Sequence, residues 1–178
     1  MKFAPQSSVD AHAVKCELAA DVLCSSGSLR LQVMGWSMLP SVWPGDMLTV
    51  ERAGSNAVSE GDIVLFGRDR RLFAHRVVAK RGQPGDFQIV TQGDAMPAPD
   101  SPVSEEELLG KVSFIQRNGR RTRPSRRLRF SERLVAGLVR SSELAARVVV
   151  EIHGMRQTSR TQDSQLQTPN DRAVPCQN

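Results

Sequence analysis

Leu72-Phe73-Ala74-His75-Arg76-Val77-Val78 is the stretch that decides the fold class. Its β-branched and aromatic residues mark a strand, and alternation places Phe73, His75 and Val77 on one face of it. Similar short runs lie on either side, at Leu29–Met34, Met47–Val50, Ile63–Phe66, Phe87–Val90 and Leu109–Ile115. Turn chemistry separates them: Pro44-Gly45-Asp46, Glu60-Gly61-Asp62, Pro84-Gly85-Asp86 and Pro97-Ala98-Pro99-Asp100. Short strands with this punctuation predict a mainly antiparallel, coiled β-sheet domain over residues 29–116, within an α+β chain carrying a helix on each flank.

The N-terminal segment, residues 1–28, is expected to hold an amphipathic helix over 9–25. Asp10 is its N-cap, Gly27 its stop, and Val14, Leu18 and Val22 its docking stripe. Past the sheet, residues 117–155 are expected to form an Arg-rich linker, Arg117 to Arg129, and a second helix from Ser131 to about His153. Leu134, Leu138, Ala145, Val149 and Ile152 form its apolar stripe, while Arg133, Arg140 and Arg147 recur every seven residues. Such a helix either docks on the sheet with a basic outer face or lies on a membrane surface. Residues 156–178, rich in Gln, Ser, Thr and Asn, are expected to be disordered.

A chain of 178 residues supports one domain with a core. With aromatic residues at 4% and no Tyr, that core must be mostly aliphatic. The formal charge of +5 is unevenly placed: residues 1–112 hold 11 Lys and Arg against 14 Asp and Glu, residues 113–178 hold 13 against 5. The basic part therefore follows the sheet, and an anionic membrane surface is its expected partner, with nucleic acid the lesser expectation. Cys16, Cys24 and Cys176 are odd in number and lack metal-ligand spacing, which points to a reducing compartment and to no metal or other cofactor. Met1 to Ser8 has no apolar run behind its one Lys, and no stretch of about 18 apolar residues occurs anywhere. The expectation is a cytoplasmic protein, at most peripheral to a membrane, without signal peptide or spanning helix.

Chemistry is concentrated in Gly35-Trp36-Ser37-Met38-Leu39-Pro40, a turn after the first strand, where a hydroxyl and a backbone N–H can be presented together. On its own Ser37 reads first as an ordinary turn serine. A serine hydroxyl needs a base to act as a nucleophile, and His75, flanked on its face by Phe73 and Val77, is placed to be a neutral, proton-accepting imidazole. On its own it reads first as a hydrogen-bonded core or surface histidine. Lys80, five residues on, falls on the opposite face of a regular strand. Asp94 and Asp100, in the run Gly93 to Ser101, are both eligible to orient the imidazole.

The order Ser37-Met38-Leu39-Pro40, Pro44-Gly45-Asp46, Glu60-Gly61-Asp62-Ile63-Val64, His75-Arg76-Val77-Val78, Gly93-Asp94 and Leu109-Gly110-Lys111-Val112 resembles the signal peptidase I superfamily of S24/S26-type serine peptidases, over roughly residues 33–115. That resemblance implies a serine endopeptidase acting on a peptide or protein substrate with small residues at the cleaved position. It implies Ser37 as nucleophile and His75 as base, where bacterial members have Lys and the endoplasmic-reticulum and archaeal branch has His. Asp100 matches the acid of that branch, and Asp94 a structural support. The chain departs from the pattern at Gly35, where many members have Ser, at Ala95, where they have Asn, and in lacking a membrane anchor. Two other functions compete: a self-cleaving regulator of the LexA type, and an inactive peptidase fold serving as a binding module.

Overall fold

The computed structural model describes residues 7–83 and 86–127. Helix α1 (Ser7–Ser26) is followed by β1 (Ser28–Gln32), β2 (Met47–Arg52), a short 3-10 turn (Ser55–Ala57), β3 (Ile63–Arg68), β4 (Arg71–Gln83), β5 (Asp86–Gln92), β6 (Leu108–Arg117) and β7 (Arg120–Thr122). The strands form one antiparallel sheet in the order β1-β2-β6-β3-β4-β5, with β7 beside the end of β6. All six sequence-expected strands are present, and the chain is an α+β protein with an open, mostly antiparallel sheet.

The sheet carries an apolar core on each side. In β3, Ile63 and Leu65 face a core built with Leu23, Met38, Leu48 and Val112, while Val64 and Phe66 face a second core with Val77, Ile89 and Val103. That is why Ile63-Val64-Leu65-Phe66 is continuously apolar rather than alternating: each residue is at most 2% exposed. Burial of each such side chain contributes about 1.5–3 kcal/mol before the entropy of ordering it.

Three sequence expectations are corrected. Helix α1 begins at Ser7, so Asp10 lies in its first turn rather than at its cap. Its docking stripe is Ala19 and Leu23, 4% and 1% exposed, whereas Val14 and Leu18 are each 59% exposed. The true stripe is one residue round from the one the hydropathy pattern favours. Gly27 does end the helix, with φ of 72° and its N–H on the Leu23 carbonyl. Finally, Arg117 belongs to β6 and Arg120–Thr122 forms β7, so the sheet runs past residue 116 into the expected linker. Asn118 and Gly119, at φ of 49° and 75°, make the tight turn between them. An Asn-Gly pair between two runs is a strong hairpin signal, masked here by the arginines around it.

Lys80 needs a different account from alternation. Strand β4 carries a bulge at Val78: Val77 pairs with Thr91, but Ala79 pairs with Val90 and Lys80 with Ile89. Cross-strand partners share a face, and Ile89 and Thr91 are two apart, so the bulge returns Lys80 to the face of Val77 and His75. Distance along the strand, not facing, separates it from Ser37. Its Nζ donates to the Val58 carbonyl at 2.8 Å and lies 3.9 Å from the Phe87 ring centre.

No helix among the described residues is long and apolar enough to cross a membrane. The second helix expected over 131–153, the 156–178 tail, Cys176 and the Pro84-Gly85 turn lie outside the described residues.

Candidate active site

Ser37 sits in the connection from β1 to β2, which is tied shut at its base. Val33 N–H donates to the Asp46 carbonyl and Gly45 N–H to the Val33 carbonyl. Inside it, Leu39 N–H donates to the Trp36 carbonyl, and Trp43 Nε1 donates to the Pro40 carbonyl. Arg117 braces that base as well, with its Nη2 2.6 Å from Asp46 Oδ2. Leu39 and Ala95 are buried beneath, with Trp36 and Trp43 packed against them. The serine is therefore mounted on a braced loop rather than a free one.

His75 comes from the middle of β4, opposite Val64. Its side chain is 7% exposed, and its ring centre lies 5.9 Å from those of both Phe66 and Phe73. Nε2 is 3.0 Å from Ser37 Oγ and Nδ1 is 2.7 Å from Asp100 Oδ2. A carboxylate only accepts, so in the neutral imidazole this contact calls for the hydrogen on Nδ1, the tautomer that leaves the Nε2 lone pair facing the serine hydroxyl. Asp100 is anchored in turn by Thr91, whose hydroxyl donates to Oδ2 at 2.7 Å and whose carbonyl accepts Asp100 N–H at 2.8 Å. Thr91 is wholly buried. Of the two eligible acids, Asp100 is the one beside the imidazole.

The peptidase S24-like family model matches residues 4–113. The chain belongs to that family. No curated protein matches it.

In this S24-like chain Asp94 serves a different neighbour. It forms a two-point ion pair with Arg76, Nε to Oδ1 and Nη2 to Oδ2, each 2.8 Å, with side chains 9% and 3% exposed. Arg76 spends its other donors on the carbonyls of Gly61 and Ser125 and on Ser41 Oγ, so all five are used. Ser41 Oγ donates to Asp94 Oδ2. No role for Arg76 is evident from residue order alone. The available signal was a lone charge inside an apolar strand, which burial requires to be paired.

Gly93, next to that pair, is where the chain passes under the site. A Cβ there would stand 2.6 Å from the Ser37 carbonyl oxygen, 2.7 Å from Met96 Cγ and 3.2 Å from His75 Nε2. The Ser37 carbonyl is held from the same side by Ala95 N–H at 2.9 Å. Backbone contacts at residues 93–95 therefore fix the height of Ser37 against the imidazole. Gly93→Ala is expected to cut any Ser37-dependent activity by about 100-fold through a displacement near 1 Å. Comparing kcat of the variant with its circular dichroism spectrum checks this; full activity would contradict it. The departure at Ala95 fits the packing, since its side chain is 1% exposed against Leu39. At Gly35 a Cβ would meet nothing within 4 Å, so the backbone there accepts a side chain.

The loop carrying Asp100 is pinned from outside by Arg68. Its guanidinium donates to the carbonyls of Ser101 and Pro102 and pairs with Glu107, Nε to Oε1, at 2.6 Å. Hydrogen bonding to Arg68 holds the Glu107 carboxyl down from 4.5 to about 2. A carboxyl whose folded value is depressed stabilises the fold above its unfolded value and loses that contribution as pH falls through the folded one. The stability gap between wild type and Glu107→Gln is thus expected to be full above about pH 4.5 and to shrink toward pH 2. Urea midpoints measured across that range test it; a gap independent of pH would be the contrary result.

Proposed function

We propose that the chain is a serine endopeptidase of the signal-peptidase type, working through Ser37, His75 and Asp100. The observation that supports this most is the continuous hydrogen-bonded line from Ser37 Oγ through His75 to Asp100. In the proposed reaction Ser37 Oγ adds to a peptide carbonyl as His75 Nε2 takes its proton, and Asp100 stabilises the resulting imidazolium. The Ser37 N–H is the proposed donor to the oxyanion. The same Nε2 then returns the proton to the leaving amine. Water, activated by His75, releases the acyl group from Ser37.

The substrate is proposed to be a precursor or leader peptide with small residues at the cleaved position. Contact with an anionic membrane is assigned to Arg133, Arg140 and Arg147 of the expected helix over 131–153. A fluorophosphonate probe tests the chemistry: labelling at Ser37 in wild type, and none in Ser37→Ala, is expected. Failure of the wild type to label at neutral and mildly alkaline pH would favour the inactive binding module, for which Gly35 and Ala95 speak.

A self-cleaving regulator is the second reading, since family membership alone does not separate it from the first. His75 in place of Lys weighs against it. The intact mass after alkaline incubation without substrate distinguishes the two: self-cleavage gives two fragments, whereas the proposed peptidase stays whole.

A further inference from the structure

Away from Ser37 and His75, a cavity of about 540 Å³ opens between the turn at Pro40 and Ser41 and the hairpin of β6 and β7. Ile63 and Ile115 lie at its apolar floor, and Arg117, Asn118, Arg120 and Arg123 line it. We propose that this cavity binds a phosphate-bearing ligand, through Arg120 and Arg123 with the free edge of Arg117.

Charge is the first ground. Residues 117–127 hold six arginines and no acid. Arg117 and Arg120 stand directly opposite each other across the two strands, and within this like-charge pair only Arg117 has a carboxylate partner among the described residues. Asp46 answers Arg117 through Nε and Nη2 and leaves Nη1 without a hydrogen bond among the described residues. Asp62 answers Arg126. Arg120 and Arg123 have no carboxylate partner among the described residues; the Arg123 guanidinium carbon lies 5.6 Å from the ring centre of Phe114, a residue outside the cavity lining, so Arg123 stands at the rim and Arg120 nearer the middle of the patch.

Donor chemistry is the second. The hydroxyls of Ser41, Thr122 and Ser125 donate to Asp94, the Ile115 carbonyl and the Arg127 carbonyl respectively, so they have no hydrogen left for a ligand. What remains to donate into the cavity is guanidinium and the Asn118 amide. Guanidinium groups set around a half-open cavity match phosphate oxygens, which accept from their planar forks in pairs. A free phosphate compound and a lipid headgroup share this chemistry.

Calorimetric titration of the full chain carrying Ser37→Ala with inorganic pyrophosphate, at low ionic strength, tests the site without reference to catalysis. Saturable binding at one site per chain is expected, weakened about tenfold or more in Arg120→Ala/Arg123→Ala. Both residues are exposed, so the variant should melt as its parent does. Absence of saturable heat, heat that persists in the double variant, or equal heat from sodium chloride of matched ionic strength overturns the proposal. So does binding of duplex DNA without binding of pyrophosphate, since an open polyanion surface would then be at work. Flotation with vesicles of phosphatidylcholine, with and without an equal part of phosphatidic acid, separates the sources. Co-flotation dependent on the acid lipid and on Arg120 assigns a headgroup. Pyrophosphate binding without flotation assigns a free phosphate compound.

Discussion

Replacing His75 by Ala is expected to lower turnover at Ser37 on the order of 10⁶-fold while the sheet stays folded. Among the described residues no other base is placed at Ser37: Lys80 Nζ is held at the Val58 carbonyl, and Asp100 reaches the serine only through the imidazole. Asp100→Asn should be milder, at about 10⁴-fold, because the amide keeps the shape but no longer stabilises the imidazolium or enforces its tautomer. Thr91 supplies a control. Thr91→Val removes one donor to Asp100 and leaves the imidazole bond in place, so its loss should be smaller than that of Asp100→Asn. Second-order rates of fluorophosphonate labelling report all three without a known substrate. Labelling of His75→Ala within tenfold of wild type would remove His75 from the mechanism.

Much of this site could be read from residue order, and what could not depends on features with no local signal. The strands follow from period-two apolar runs and Gly-Asp turns, and β2, β3, β4 and β6 each contain the run expected for them. Ser37 and His75 are individually ordinary: a turn serine and a buried strand histidine. Only their place in a chain-wide order of motifs marks them together. Asp94 and Asp100 lie six residues apart in one loop; composition gives no ground for choosing between them, and in the sequence only the resemblance singles out Asp100. The choice is made by tertiary contacts, Thr91 gripping Asp100 while Arg76 claims Asp94. The bulge at Val78 defeats the facing argument for Lys80 because a single extra residue inverts alternation beyond it. Helix α1 misleads for a related reason. Val14 and Leu18 are more apolar than Ala19, yet close approach to the sheet selects the small residue.

The second large effect is expected at Arg76, on the strand neighbour of His75 but facing the other way. Arg76→Met should destabilise the fold by about 3–5 kcal/mol, since it leaves the Asp94 carboxylate, 3% exposed, with only Ser41 to satisfy it. It also strips the Gly61 and Ser125 carbonyls of their donor. For a domain of this size the melting temperature should fall by about 10 °C or more. Asp94→Leu alone should cost a similar amount, by stranding the guanidinium. The double variant Arg76→Met/Asp94→Leu should lose much less than the two single losses combined, because no unpaired charge then remains. Activity is expected to divide differently from stability. Asp94 adjoins Gly93, which sits against the Ser37 carbonyl, so the double variant can regain its melting temperature and still label slowly at Ser37. Recovery of both together would mean that the ion pair only holds the fold. Recovery of stability alone would show that Arg76 and Asp94 set the position of the serine.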